Sequence, residues 1–143
     1  MNGAEDLTFD LFGDIHVTAY YSNAIFKFNG TTGERVMEYG RGVVRGPVGI
    51  ACDPWTGDVL VASYKSNQVL RFSPEGQFVG VAAGSAERQR LGGRAAIASP
   101  TGLAFAGDGT MWVASYTSGT VTRFNSSGMA GRASARTWWR ATD

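Results

Sequence analysis

Few side chains in this 143-residue chain are of types that do chemistry. There is one histidine, His16, and one cysteine, Cys52. A catalytic histidine needs a nucleophile, a base partner or a metal within reach, and no motif around His16 supplies one. A lone cysteine excludes an internal disulfide framework. Acidic residues Asp10, Asp14, Asp53, Asp58 and Asp108 stand close to glycines in short polar stretches. A hard divalent cation needs several oxygen ligands converging on one point. An aspartate in such a stretch more simply bonds nearby backbone and tightens a turn. Turn chemistry is the expected role, so no catalytic or metal-ligating residue is assigned and no cofactor is expected.

Aromatic and cationic residues are better placed for recognition. Tyr20, Tyr64 and Tyr116 recur in one sequence context, and Arg88, Arg90 and Arg94 crowd the segment Ser85–Ser99. Tyrosine and arginine are enriched at binding hot spots. Aromatic rings can also stack on bases beside phosphate-binding charges. These six residues are the candidate binding set. The competing reading makes a repeated tyrosine a repeated packing residue.

That context is a block written three times. It reads Val-Thr-Ala-Tyr-Tyr-Ser-Asn-Ala-Ile-Phe-Lys-Phe at 17–28 and Val-Ala-Ser-Tyr-Lys-Ser-Asn-Gln-Val-Leu-Arg-Phe at 61–72. At 113–124 it reads Val-Ala-Ser-Tyr-Thr-Ser-Gly-Thr-Val-Thr-Arg-Phe. The starts are 44 and 52 residues apart, and Ser85–Ser99 absorbs the longer spacing. Upstream of the blocks lie Leu7-Thr-Phe9, Ile50-Ala-Cys52 and Leu103-Ala-Phe105. A repeat of this period is a supersecondary unit that stacks on its copies to bury its apolar faces.

Each unit reads as short strands between Gly, Pro, Asn, Asp and Ser turns. In the second unit the strands are predicted at Val48–Cys52, Val59–Ser63, Val69–Phe72 and Phe78–Ala82. The apolar runs are too short and too rich in β-branched and aromatic residues for helix. The run Val59-Leu-Val-Ala62 is apolar at successive positions, which means a strand covered on both faces. Four-stranded units of this length with doubly buried strands are β-propeller blades. The expected fold is all-β: about three antiparallel blades at about 6–40, 47–84 and 100–128, then an unpatterned tail at 129–143.

The repeat register assigns several residues. His16 aligns with Leu60 and Trp112, a packing position between blades. Cys52 aligns with Phe9 and Phe105, which reads as a small buried hydrophobe. Lys27, Arg71 and Arg123 alternate with core phenylalanines, so these cations are expected to be solvated or stacked. Trp55 falls in a turn on the face opposite the tyrosines.

The pattern Pro-x-Gly-(Ile/Leu)-Ala, then Gly-Asp/Thr, Val-Ala-Ser-Tyr and Val-x-Arg-Phe resembles NHL repeats. It is also similar to six-bladed propellers of the streptogramin-lyase and gluconolactonase/regucalcin type. The resemblance spans about residues 6–128. It departs where NHL repeats carry Val-Ala-Asp, since Ala19, Ser63 and Ser115 hold that third position. The lyases it resembles use histidine and glutamate around a metal, and that chemistry maps onto no residue here.

Propellers close with four to eight blades, and this chain has about three. It reads as a fragment with the tail outside the native fold, with a half-ring closed by self-association and an open arc as the alternatives. Residues 1–60 hold eight acidic and four basic side chains, and residues 61–143 hold four acidic and nine basic. The basic residues fall largely in one loop and the tail, a weak footprint for nucleic acid, which wants a continuous stripe. No signal-peptide pattern or membrane-length apolar run is visible, so no membrane partner is expected and the cytoplasm is the default compartment. The leading expectation is a non-catalytic module whose loop face meets a protein or other macromolecule. The alternatives are part of a lyase- or lactonase-type propeller enzyme, or an RNA-binding surface.

Overall fold

The computed structural model describes residues 1–84 and 97–124. Among these, eleven strands form three antiparallel meanders with strand order equal to chain order. Blade 1 contains β1 (Ala4–Phe9), β2 (Ile15–Ala19), β3 (Ala24–Phe28) and β4 (Arg35–Tyr39). Blade 2 contains β5 (Pro47–Cys52), β6 (Val59–Ser63), β7 (Gln68–Phe72) and β8 (Phe78–Ala83). Blade 3 contains β9 (Pro100–Phe105), β10 (Met111–Ser115) and β11 (Thr120–Phe124). A single 3-10 turn, Tyr64–Ser66, is the helical exception among the described residues. The architecture is the expected partial β-propeller. A fourth strand for blade 3 and the tail 129–143 lie outside the described residues.

Each blade has two apolar faces, because successive side chains of a strand point to opposite sides. In blade 2, Val59, Val61, Leu70 and Phe72 turn back to blade 1 and join Ile25, Tyr39 and Val44 in one core cluster. Leu60, Val69, Ala82 and Ala83 turn forward and join Met111, Val113 and Phe124 of blade 3. Val59, Leu60, Val61 and Ala62 are all 0% exposed, as the uninterrupted apolar run requires. A fully buried side chain of this size contributes about 1.5–3 kcal/mol. A net hydrogen bond contributes about 0.5–1.5 kcal/mol. Apolar burial at the two seams therefore dominates the stability.

The first strands of successive blades, β1, β5 and β9, lie side by side. Polar side chains join them. The Asp6 carboxylate accepts from the Ile50 N–H (3.2 Å), Thr8 Oγ1 accepts from the Cys52 N–H (3.4 Å), and Thr18 Oγ1 donates to the Val48 carbonyl (2.5 Å). Between blades 2 and 3 the backbones come closer still. A Cβ on Gly49 would overlap the Thr101 carbonyl, which is why the Pro-x-Gly motif needs its glycine there.

The asparagines of the block latch each seam. Asn23 and Asn67 take left-handed backbone (φ 48° and 55°), which asparagine tolerates better than most residues. Their side-chain oxygens accept from the N–H groups that lead into the next blade, Gly46 (2.8 Å) and Ser99 (2.7 Å). The third copy carries Gly119 (φ 60°), which keeps the turn and lacks the latch.

Gly49→Ala is expected to lower stability by about 1–3 kcal/mol. Gly102→Ala, whose Cβ would meet only the Ala114 methyl at 3.5 Å, is expected to be tolerated. Urea denaturation of the two variants measures the contrast, and equal midpoints would refute the close approach at Gly49.

Candidate binding face and the buried polar cluster

The loops after β2, β6 and β10 emerge beside the connections between blades, because the same backbone bond recurs in each unit. The N–H of Tyr20 donates to the Gly3 carbonyl (2.7 Å), that of Tyr64 to Gly46 (3.1 Å), and that of Tyr116 to Ser99 (2.9 Å). The three tyrosines therefore share one face. Tyr20 and Tyr64 meet edge to face, with ring centroids 6.3 Å apart. Tyr21 packs on Tyr20 at 5.2 Å, and Lys65 Nζ lies 4.7 Å from the Tyr20 ring centroid. A cation over an exposed ring adds about 0.5–1 kcal/mol.

Packing and exposure are both present in this face. Tyr20 is half-buried and covers Gly46 across the first seam, where a Cβ would crowd its ring. Tyr21 and Tyr116 are 69% and 75% exposed, and Arg45 and Lys65 are exposed beside them. The structure brings Tyr20 and Tyr64 together and leaves Tyr116 standing free in solvent. Arg88, Arg90 and Arg94 lie outside the described residues. Tyr21, Arg45 and Lys65 were not picked out by sequence reasoning. Their adjacency to the repeated tyrosines and to Gly46 was the available signal.

Lys27 and Arg71 are enclosed in ion pairs rather than solvated, which corrects the expectation from strand alternation, whereas Arg123 is paired and still 40% exposed. Each reaches the acidic turn between the first two strands of its own blade. Lys27 Nζ pairs with Asp10 (2.9 Å) and Asp14 (3.2 Å). Arg71 pairs with Asp53 (3.4 Å) and Asp58 (2.7 Å), and Arg123 with Asp108 (3.3 Å). The aspartates also do the expected turn work. Asp10 Oδ1 accepts from the N–H groups of Phe12 and Asp14, Asp53 Oδ1 from those of Trp55 and Thr56, and Asp108 Oδ1 from that of Thr110. Trp55 is 57% exposed in its turn. Cys52 is half-buried rather than fully enclosed, and burial first of all raises its thiol pKa, so it stays protonated.

Blade 1 differs from the others in a buried polar chain. His16, 0% exposed, bonds Tyr39 Oη through Nδ1 (2.8 Å) and Asp10 Oδ2 through Nε2 (3.1 Å). Lys27 shares Asp10 Oδ2 and extends to the Pro74 carbonyl of blade 2 (3.4 Å). Burial pushes the Asp10 carboxyl up, yet bonds from Lys27, His16 and two backbone N–H groups bring it down to about 2. Burial lowers the His16 pKa, and the bond to Asp10 offsets only part of that. Burial also raises the Tyr39 pKa, so its hydroxyl stays protonated. Burial opposes charge on Lys27, but its two carboxylate partners outweigh this and raise its pKa. The cluster resembles a relay in its residue types but has no solvent contact at His16 through which a substrate could reach it. Among the described residues, no group of three or more His, Cys, Asp and Glu is arranged to hold a metal ion.

These observations define the chain as a β-propeller segment. Solved structures agree on the fold. Virginiamycin B lyase from Staphylococcus aureus matches with a TM-score of 0.68 at 19% identity, over 87% of this chain and 39% of that one. A catalytically inactive form of that lyase with quinupristin matches at 0.69 and 15%, over 99% and 42%. The extracellular domain of a hybrid two-component system from B. thetaiotaomicron matches at 0.68 and 15%, over 96% and 17%. The chain spans about two fifths of the length of the lyases. No protein-family model and no curated protein matches it.

The buried cluster sets a pH dependence. Below the ordinary histidine value of 6.5 the unfolded chain takes a proton at His16 that the folded chain resists. Stability therefore falls as pH drops through that range, and Asp10 adds a further loss from 3.8 towards about 2. The urea midpoint is expected to fall between about pH 7 and about pH 5, and His16→Leu, the side chain of Leu60, is expected to flatten that fall. An unchanged slope in the variant would show that His16 is not the group responsible.

Proposed function

We propose that this chain is a non-catalytic binding segment of a β-propeller and presents its tyrosine loop face to a protein partner. The carrying observation is that one loop of every blade delivers a tyrosine to the same surface, with Lys65 of the blade 2 loop among them. Tyr20, Tyr64 and Lys65 form its packed centre, and Tyr21 and Tyr116 stand exposed beside it. Tyrosine and arginine, here the exposed tyrosines beside Arg45, are among the residue types enriched at binding hot spots. The one histidine, by contrast, is sealed in a seam and fully bonded. Peptides selected on the immobilised chain are expected to lose about 30-fold or more in affinity for a Tyr21→Ala, Lys65→Ala, Tyr116→Ala variant. All three side chains are largely exposed, so the variant stays folded and loses only about 0.5–1 kcal/mol with the Lys65–Tyr20 contact. Peptides that bind it as well as the parent would refute the reading.

A second reading makes the chain part of a propeller enzyme whose catalytic residues lie in further blades. It is favoured by the likeness to virginiamycin B lyase and by the two-fifths span. Transcript sequencing across the coding region tests it. A longer reading frame with further blades carrying histidine and glutamate pairs favours the enzyme.

A further inference from the structure

We infer that the outward face of blade 1 receives the outward face of blade 3 from a second copy of this chain, head to tail. The basis is the seam between blades 2 and 3. Its two surfaces are different, one from each blade, and both are written again on the outward faces of blades 1 and 3.

On blade 2 the surface is formed by Gly49, Ala51, Leu60, Ala62, Val69 and Arg71, placed on one side by the strand registers. At the matching positions of blade 3 stand Gly102, Ala104, Trp112, Ala114, Val121 and Arg123. Five of the six are identical, and the sixth exchanges one large apolar side chain for another. The receiving surface is repeated as closely. Leu103, Phe105, Val113 and Phe124 of blade 3 face blade 2, and blade 1 carries Leu7, Phe9, Val17 and Phe28 at the same positions.

Exposure shows which surfaces lack a neighbour among the described residues. Leu7 and Phe9 are 55% and 57% exposed, and Val36 on the same sheet is 53% exposed. Ile50, which takes the place of Leu7 in blade 2, is 4% exposed. On blade 3, Trp112 and Ala114 are half-buried where Leu60 and Ala62 are 0% exposed. The Arg123 side chain is 40% exposed, against 15% for Arg71 at the matching position of blade 2. Its blade 1 counterpart, Lys27, reaches the Pro74 carbonyl across a seam. A docked blade would cover the exposed part of the Arg123 guanidinium and could offer it a turn carbonyl in the same way. Gly119 removes the asparagine latch from this position, so face packing carries the contact.

A second copy fits because each molecule carries both halves of one seam. The contact is heterologous, so two copies can satisfy each other twice and close, or add in an open series. An exposed apolar sheet face of this kind is otherwise an aggregation hazard. This inference does not depend on the loop-face reading, which concerns a different surface.

Sedimentation equilibrium of the intact chain at roughly 100 μM tests it. The expected mass exceeds the 15.2 kDa of one chain. Phe9→Glu and Trp112→Glu are each expected to weaken self-association by about 100-fold or more, because each buries an unpaired charge at the contact. An equimolar mixture of the two variants is expected to regain association, since it restores one intact pair of faces. Circular dichroism confirms that each variant is folded, and Phe9 is exposed enough for its substitution to leave the blade intact. A monomeric parent, or association that survives either single substitution, or a mixture that stays monomeric while the parent associates, would overturn the inference. Survival in Trp112→Glu alone would indicate pairing through two copies of the blade 1 face.

Discussion

Everything in this molecule depends on face-to-face packing between blades. A meander of four short strands has two apolar faces and cannot bury both by itself. Stacking converts each pair of faces into a core, and the middle strand of blade 2 is sealed on both sides as a result. The first strands then approach until backbone meets backbone at Gly49 and Thr101. Tight turns, the asparagine latches and the shared tyrosine bonds all serve to hold that approach.

The seams also decide where chemistry can occur. His16 and Leu60 hold one register, and one seam takes a polar group where the other takes an apolar one. The polar version is viable because each of its atoms has a partner: Tyr39 on one ring nitrogen, Asp10 on the other, and Lys27 on Asp10. An unpaired polar atom at that depth would cost more than a bond returns. Satisfaction and enclosure together make the cluster a structural device. The loops at the ends of the second strands are among the surfaces that packing does not consume.

Most of the fold was legible from repetition alone. The strands of blade 2 fall within a residue of those predicted, because turn residues and apolar runs mark their ends at every copy. The packing of His16 was legible from its alignment with Leu60 and Trp112. The partners of Lys27, Arg71 and Arg123 were not. Strand alternation separates a cation from its neighbouring phenylalanine, but it does not show that a turn from another strand folds back to meet it. Nor could alternation show that Tyr20 and Tyr64 touch while Tyr116 stands apart.

By itself, then, the sequence determined the unit: its strands, its turns, its apolar faces and their order. Those features follow from local propensity and period, which one chain segment expresses without reference to another. Only the tertiary structure decided which face meets which, which charges are neutralised in the seams, and which tyrosines remain exposed. These depend on contacts between residues some forty positions apart in the chain, such as Asp6 with Ile50 and Lys27 with Pro74. Separation in sequence carries no distance until the blades have stacked.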